Sequence, residues 1–260
     1  MLDSLIERAA DLVRESRRLV VFTGAGVSTE SGIPDFRSPG GIWSKYDPDD
    51  FTIQKIISDR AARRSIWQMG DSAFKDAQPN PAHHAIAELE KIGKLDCLIT
   101  QNVDNLHQMA GTSGGKIFEL HGNMREAVCL SCRRRFSMDE IRQRVRSGDE
   151  VPECSFCRGI LKPAGVFFGE PLPQRELKEA TECSRKSDVF MVVGSTLMVY
   201  PAALMPQYAL QSGAKLIIIN LSETPLDHRA SILLKGKAGE ILPQIVSKAK
   251  QKLFKESRER

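Results

Sequence analysis

Two pairs of cysteines carry the most pointed chemistry in the chain. "CLSC" supplies Cys129 and Cys132, "CSFC" supplies Cys154 and Cys157, and 21 residues separate the pairs. A CxxC turn aims two sulfurs at one point, and two such turns complete a tetrahedral thiolate cage of the kind that holds zinc. Four thiolates leave no position for water or substrate, so the expectation is one structural ion; an iron centre or buried free thiols are the alternatives. The spacer slightly exceeds the usual run of about 15 to 20 residues. A longer connection leaves the geometry of each turn unchanged.

A second pattern is "VVFTGAGVSTESGIPDFR", residues 20 to 37. The apolar run from Leu19 to Phe22 reads as a short buried strand, and Gly24 and Gly26 behind it let the backbone turn tightly and approach a phosphate closely. A dinucleotide fingerprint would place a third glycine where Thr29 stands, and Pro34 would interrupt the helix that normally opens there. An ordinary Rossmann dehydrogenase is therefore disfavoured. The glycine pair by itself is also what a plain turn needs.

These residues need elements to hold them. Leu2, Leu5, Ile6, Ala9, Leu12 and Val13 recur at helical spacing, which predicts an amphipathic helix over 2 to 16. Strands are expected at 95 to 100, 116 to 120, 189 to 193, 215 to 219 and 231 to 235, with helices at 82 to 92, 201 to 212 and 239 to 252. That alternation builds a parallel sheet covered on both faces. Ligands of such sheets sit at the carboxyl ends of the strands. The polar loops "TGAGVS", "TQNVDNLH", "LHGN", "GSTL" and "NLSET" are accordingly expected to form one converging surface.

The expected fold class is α/β, a Rossmann-like parallel sheet with helices on both faces plus a smaller zinc-binding domain. Residues 1–36, 81–124 and 163–260 are assigned to the large domain, 37–80 and 125–162 to the small one. The basic tail "KQKLFKESRER" reads as a frayed, solvated helix end.

Composition sets bounds. The 260 residues are 41% apolar and 27% charged, as in ordinary globular chains. No apolar run approaches the roughly twenty residues of a membrane span, and no targeting segment is visible, so a cytoplasmic location is expected. A net charge of +4 does not by itself suggest nucleic-acid binding. Arg133 to Arg135 beside the first cysteine pair are expected to be solvated. Cys97 and Cys183 stand outside the pairs, and the whole pattern suits a reducing compartment with a metal site better than a disulfide framework.

Taken in order, "GAGVSTESGIPDFR", "TQNVDNLH", "ELHGN", the paired CxxC turns, "VFFGE" and "GSTLMVYPA" resemble the motif set of the sirtuins, prokaryotic type, from about residue 19 to residue 246. Sirtuins are NAD-dependent protein lysine deacylases. The resemblance implies NAD as co-substrate, one structural zinc, acetylated or otherwise acylated lysine proteins as partners, and a cleft between a large and a small domain. It implies that "SGIPDFR" forms a mobile loop over the nicotinamide ribose.

By that resemblance Gly24, Ala25, Gly26 and Ser28 lie along the cofactor, and Asp35, Phe36 and Arg37 belong to the closing loop, with Phe36 shielding the reacting carbon from water. Gln101 meets the ribose, Asn102 stands near the reaction centre, and Asp104 holds the nicotinamide carboxamide. Gly194, Ser195 and Thr196 face the cofactor, while Asn220 and Ala238 frame the adenosine.

His121 is the candidate general base, since an imidazole with an unperturbed pKa near 6.5 can accept a proton at neutral pH. His83 and His84 fall on a predicted helix, His107 closes a motif and His228 lies in a polar loop. The acyl-lysine peptide is expected to lie as a strand between Val166, Phe167, Phe168, Gly169 and Glu170 on one side and Leu197, Val199 and Tyr200 on the other. The products implied are nicotinamide, O-acyl-ADP-ribose and free lysine.

One departure stands out: the family usually has a polar and then a branched apolar residue where this chain has Ala164 and Gly165. Weaker peptide affinity or room for a bulkier acyl group is expected there. Protein ADP-ribosyl transfer on the same cofactor and a zinc-ribbon nucleic-acid module are the competing readings. No aromatic-and-basic stacking platform for single strands is apparent, so direct nucleic-acid binding is not expected.

Overall fold

The computed structural model describes residues 2–73 and 76–259. Among these residues nine strands form two sheets: β1 (Leu19–Thr23), β2 (Leu95–Thr100), β3 (Ile117–Glu119), β4 (Gly122–Cys129), β5 (Arg135–Ser137), β6 (Leu161–Gly165), β7 (Val189–Val193), β8 (Lys215–Asn220) and β9 (Ile232–Lys235). The helices are α1 (Leu2–Glu15), α2 (Ile53–Ser58), α3 (Arg60–Ala73), α4 (Pro81–Lys91), α5 (Leu106–Met109), α6 (Met138–Arg146), α7 (Gln174–Lys186), α8 (Met205–Gln211) and α9 (Ala238–Glu259).

The large sheet runs β3-β2-β1-β7-β8-β9, parallel throughout. Numbered along the sheet this is the 3-2-1-4-5-6 order of dinucleotide-binding folds, and its reversal point lies between β1 and β7. Every residue of β1 and β7 is buried, because helices cover both faces. Leu19 and Val21 face a core shared with α1, α4 and α9. Val20 and Phe22 face the opposite core with α7 and α8. That alternation is the two-residue period of a strand buried on both sides.

Local signals set the helices. In α1, Ile6, Ala9, Ala10 and Val13 are buried at helical spacing, with Asp3 in the first turn and Arg14 in the last. Helix α4 begins at Pro81 behind an Asn80 cap, whose side chain accepts from the Ala82 N–H. The second sheet, β5-β4-β6, is antiparallel. It packs with α6 and with Trp67 of α3 in a small core of Ala127, Phe136, Met138, Ile141 and Leu161. Ile56, Ile66 and Phe167 form a further cluster beside it.

Two sequence readings need correction. Over the described residues the tail is helical, α9 continuing to Glu259, and it is not merely solvated: several of its charges pair with opposite charges on neighbouring helices. Lys252 reaches Asp11 at 2.8 Å, Lys250 reaches Glu88 at 2.6 Å and Arg14 reaches Glu256 at 2.7 Å, while Lys248 pairs with Glu7. Second, neither α7 nor α3, a helix of 14 residues, has a counterpart among the expected elements.

Candidate active site and metal centre

The site assembles at the carboxyl ends of β1, β2, β3, β7 and β8. The glycines there are required by contact between two loops. Gly26 donates its N–H to the Gly194 carbonyl at 2.8 Å, and Gly24 donates to Val193 at 3.2 Å. A methyl group added at Gly24 would lie 2.8 Å from the Ser195 Cβ, and one at Gly26 2.8 Å from the Gly194 oxygen. Gly194 has φ +64° and would press its own Cβ to 2.2 Å from the Val27 nitrogen. The turns after β1 and β7 therefore interlock backbone on backbone at the reversal point of the sheet. Ala25 and Gly26 stay half-exposed on its rim.

Behind this junction sits a connected polar cluster. Ser28 donates to an Asp104 carboxylate oxygen at 2.7 Å, and the Asn102 amide donates to Ser28 Oγ at 3.1 Å and to the Gly24 carbonyl at 3.2 Å. Gln101 Nε2 donates to Ser195 Oγ at 2.9 Å, and that oxygen also accepts from the Leu197 N–H at 3.2 Å. Burial raises the Asp104 carboxyl, opposed by hydrogen bonds from the Leu106 N–H and Ser28. Thr196 is half-buried beside Ser195.

His121 occupies the short step between β3 and β4, where the chain leaves the large sheet for the small one. Its Nδ1 lies 3.0 Å from the Gln101 carbonyl. A carbonyl only accepts, so Nδ1 carries the proton and Nε2 keeps its lone pair. Burial lowers the imidazole from 6.5, with the Gln101 carbonyl pulling the other way. The ring is thus neutral at pH 7, with a basic nitrogen free. The His121 carbonyl accepts from the Val166 N–H at 2.8 Å, which ties the base to the segment after β6.

That segment is fastened from inside. Lys162, 5% exposed, places Nζ 3.0 Å from a Glu170 oxygen, 2.8 Å from the Gly165 carbonyl and 3.2 Å from that of Pro163. The same Glu170 oxygen accepts from the Phe167 N–H at 2.9 Å. Phe168 and Gly169 remain exposed, Val166 is half-buried, and Gly169 has φ +86°. Facing residues on the other segment divide similarly: Leu197 is buried in the core with φ 57°, Val199 is half-buried, and Tyr200 is exposed ahead of a cis bond to Pro201.

Gly165 differs from the junction glycines. The nearest atoms to a methyl group there would be Met124 Sδ at 3.7 Å, the His121 oxygen at 3.8 Å and Val103 Cγ1 at 3.9 Å.

Of the remaining candidates, Asp35 folds its own loop: it accepts from the Arg37 and Ser38 N–H groups at 2.9 and 2.7 Å and from Ser38 Oγ at 2.6 Å. Burial pushes its carboxyl up, but those hydrogen bonds outweigh it and the net shift is downward. Phe36 and Arg37 are exposed. Asn220 ends β8 with its amide donating to the Ser222 carbonyl at 2.9 Å, and Gly236 donates to the Asn220 carbonyl at 3.3 Å. Ala238, buried, opens α9; the next residue, Gly239, donates its N–H to Glu30 at 2.7 Å.

Two histidines join the cluster that sequence reasoning left outside it. His83 accepts from the Asn80 N–H at 3.3 Å, so its Nε2 carries the proton and lies 3.5 Å from Ser28 Oγ; burial brings its pKa down to about 4. His107 Nε2 is 3.0 Å from Thr23 Oγ1, and its ring sits 4.8 Å from that of His83. The signal for His83 was the "NPAHH" start, which presents a histidine at the third helical position to an asparagine cap. His84 and His228 stay outside the cluster.

The four cysteines converge. All their sulfurs lie within 4.8 Å of one another, with Cys129 and Cys157 3.5 Å apart and Cys132 and Cys154 3.7 Å apart. Zinc–sulfur bonds of about 2.3 Å in a tetrahedron require edges of about 3.8 Å, so the cage fits that ion. Both turns close in the same way: the Arg133 N–H donates to the Cys129 carbonyl at 3.0 Å and the Arg158 N–H to the Cys154 carbonyl at 2.9 Å, each arginine at positive φ. Of the neighbouring arginines, Arg134 lies over the Phe156 ring and Arg135 pairs with Glu126, so both are engaged locally.

Fold and site together define a class: a doubly wound nucleotide-binding sheet carrying a four-cysteine zinc module, with a neutral histidine where the two sheets join. A family model described as the Sir2 family matches residues 24–201. An NAD-dependent protein deacetylase of Thermodesulfovibrio yellowstonii is 44% identical over 96% of this chain and 97% of its own length. NAD-dependent protein deacylase 2 of Archaeoglobus fulgidus is 46% identical over 95% and 96%. A Sir2 enzyme solved with a p53 peptide and NAD+ is 37% identical, has a TM-score of 0.86, and is covered over 99% of its length by 95% of this chain. The chain belongs to the Sir2 family. Among the described residues, no helix is long and apolar enough to cross a membrane.

Proposed function

We propose that this chain removes acetyl groups, and accepts other acyl groups, from lysine side chains of proteins with NAD as co-substrate, releasing nicotinamide, O-acyl-ADP-ribose and free lysine. The observation that carries the reading is His121: its Nδ1 is committed to the Gln101 carbonyl, which leaves Nε2 as the base, and the loop that supplies that carbonyl also carries Asn102 and Asp104, joined through Ser28.

In this reading the pyrophosphate lies on the rim of the interlocked glycine turns at Gly24, Ala25, Gly26 and Gly194, with Ser195 and Thr196 beside it. Asn220 and Ala238 frame the adenosine. Asp104 orients the carboxamide of the departing nicotinamide and is held by Ser28, to which Asn102, near the reaction centre, donates in turn. Gln101 meets the ribose. Asp35, Phe36 and Arg37 close over the reacting carbon, so that the weakly nucleophilic acyl oxygen meets it without competition from water. His121 Nε2 takes the ribose hydroxyl proton. The peptide lies between Val166–Glu170 and Leu197–Tyr200, bound mainly through its backbone. The zinc, held by Cys129, Cys132, Cys154 and Cys157, supplies structure to the small sheet and no chemistry.

Residues 1–36, 81–124 and 163–260 form the NAD-binding domain of this account, with 37–80 and 125–162 the smaller one. The thiol inventory, four zinc ligands and two further cysteines, suits a reducing cytoplasm. The test is incubation with NAD and an acetyl-lysine peptide, following nicotinamide and deacetylated peptide by mass. Stoichiometric appearance of both supports the proposal; ADP-ribose label retained on protein without deacetylation replaces it with ADP-ribosyl transfer.

A further inference from the structure

The loop after β1 and the segment after β6 are joined by a run of aromatic rings whose middle member takes no part in the chemistry above. The Trp43 ring centroid lies 5.1 Å from that of Phe36, 5.1 Å from that of Phe51 and 6.3 Å from that of Phe168. Tyr46 closes on Phe51 edge-on at 6.2 Å. All four separations fall within the range of roughly 4.5 to 7 Å in which tilted and edge-on aromatic pairs attract.

The backbone repeats the same connection. Trp43 donates its N–H to the Phe36 carbonyl at 3.0 Å, and Ile42 donates to Asp35 at 2.8 Å. On the far side, Phe168 donates to the Phe51 carbonyl and accepts from the Ile53 N–H, both at 2.9 Å. Phe36 is therefore hooked to Trp43, and Phe168 to the strand of chain that carries Phe51. Ring contacts centred on Trp43 bridge these two hooked pairs. The outer rings keep much of their surface open, 39% for Phe36 and 49% for Phe168.

We infer that Trp43 is a positioning residue that couples the two substrates, relaying occupancy of the peptide segment at Phe168 to the loop at Phe36 that closes over the nicotinamide ribose. This rests on the reading of the site given under Proposed function. The physical basis is shared ordering. A peptide seated against Phe168 fixes Phe51 and Trp43, and so fixes Phe36; NAD binding afterwards meets a loop already in place. By linkage the effect is reciprocal, and NAD tightens peptide binding by the same factor.

The test is a set of calorimetric titrations. An acetyl-lysine peptide is titrated alone and in the presence of a nicotinamide dinucleotide whose glycosidic bond cannot be cleaved, and then in the reverse order. The wild-type chain should show mutual tightening within the roughly 5- to 150-fold range of allosteric couplings. In Trp43→Ala that ratio should fall to about one while each ligand alone still binds, and Trp43→Phe should recover most of it. A general loss of packing would weaken both single affinities and leave the ratio intact. Because the chain has two tryptophans, Trp67→Phe makes Trp43 the sole emitter, and its fluorescence should respond to each ligand added singly.

A wild-type ratio retained in Trp43→Ala, or Trp43 emission indifferent to the peptide, overturns the coupling and leaves the reading of the site standing. Failure of the wild-type chain to bind either ligand overturns both.

Discussion

Gly194 and Gly165 are both glycines beside the site, and the structure assigns them opposite tolerances to the same substitution. In Gly194→Ala the new side chain must adopt φ +64°, and its Cβ must move from 2.2 Å to at least 3.4 Å from the Val27 nitrogen. Left-handed backbone costs an L-residue about 1 to 2 kcal/mol. The separation also breaks the 2.8 Å bond from the Gly26 N–H to the Gly194 carbonyl, and a buried polar group left unpaired costs about 1 to 3 kcal/mol. The loss should therefore reach about 3 kcal/mol, and NAD binding should suffer with it. In Gly165→Ala nothing stands closer than 3.7 Å, and removing glycine freedom from the unfolded chain favours folding by about 0.4 to 1 kcal/mol. That variant should be neutral to slightly stabilised. Urea unfolding of the two variants beside the parent chain checks this, with calorimetry of NAD binding. A Gly194→Ala loss below about 1 kcal/mol, or a larger loss for Gly165→Ala, would refute the interlocking of the two turns.

Other expectations follow from the same contacts. His121→Gln should lower kcat/KM by about 10²- to 10⁴-fold in a coupled nicotinamide assay. The parent enzyme's acid limb should fall below pH 6.5, because burial lowers the imidazole from that value and only the neutral ring is a base; an acid limb above pH 6.5 would contradict the dominance of burial at His121. The same depressed pKa stabilises the fold above the unfolded value and is lost as pH falls toward the folded one. Elemental analysis should find one zinc per chain, and Cys154→Ser should release it with a lowered melting temperature. Lys162→Met strips the buried cation from Glu170 and should cost roughly 3 kcal/mol. Steady-state kinetics of that variant should show a peptide KM raised more than the KM for NAD.

Much of this is legible in the chain itself. Leu19 to Phe22, 95 to 100 and 189 to 193 announce themselves as strands because both faces of the large sheet are covered, which leaves short unbroken apolar runs. The cysteine spacing announces the metal cage because each CxxC turn is a local structure. Helix α7 was missed because "QRELKEATECSRK" buries few residues, Ala180 and Ser184 among them, and its apolar signal is correspondingly thin. The order of the tail was missed for a related reason: Lys250 and Lys252 find their acids on α4 and α1, far away in sequence.

The glycine turn shows the limit of motif reading. Sequence suggested that Gly24 and Gly26 are small so that a phosphate can approach, whereas the structure shows first that they make room for Gly194 and Ser195. Tertiary contacts of that kind leave no local trace. The same holds for His83 and His107, whose places behind Ser28 and Thr23 depend on α4 and α5 packing against the ends of β1 and β2. Lys162 left a faint trace, as a lone cation in an apolar stretch that needs an acid nearby.

The central claim is that loops from separate strands converge on one dinucleotide with His121 facing its ribose. A crystal of the chain with NAD and an acetyl-lysine peptide tests it most directly. The pyrophosphate should lie against the Gly24–Gly26 turn, with His121 Nε2 within hydrogen-bond reach of a hydroxyl of the nicotinamide ribose. Density for the dinucleotide away from these loops, or a ribose out of reach of that nitrogen, would contradict it.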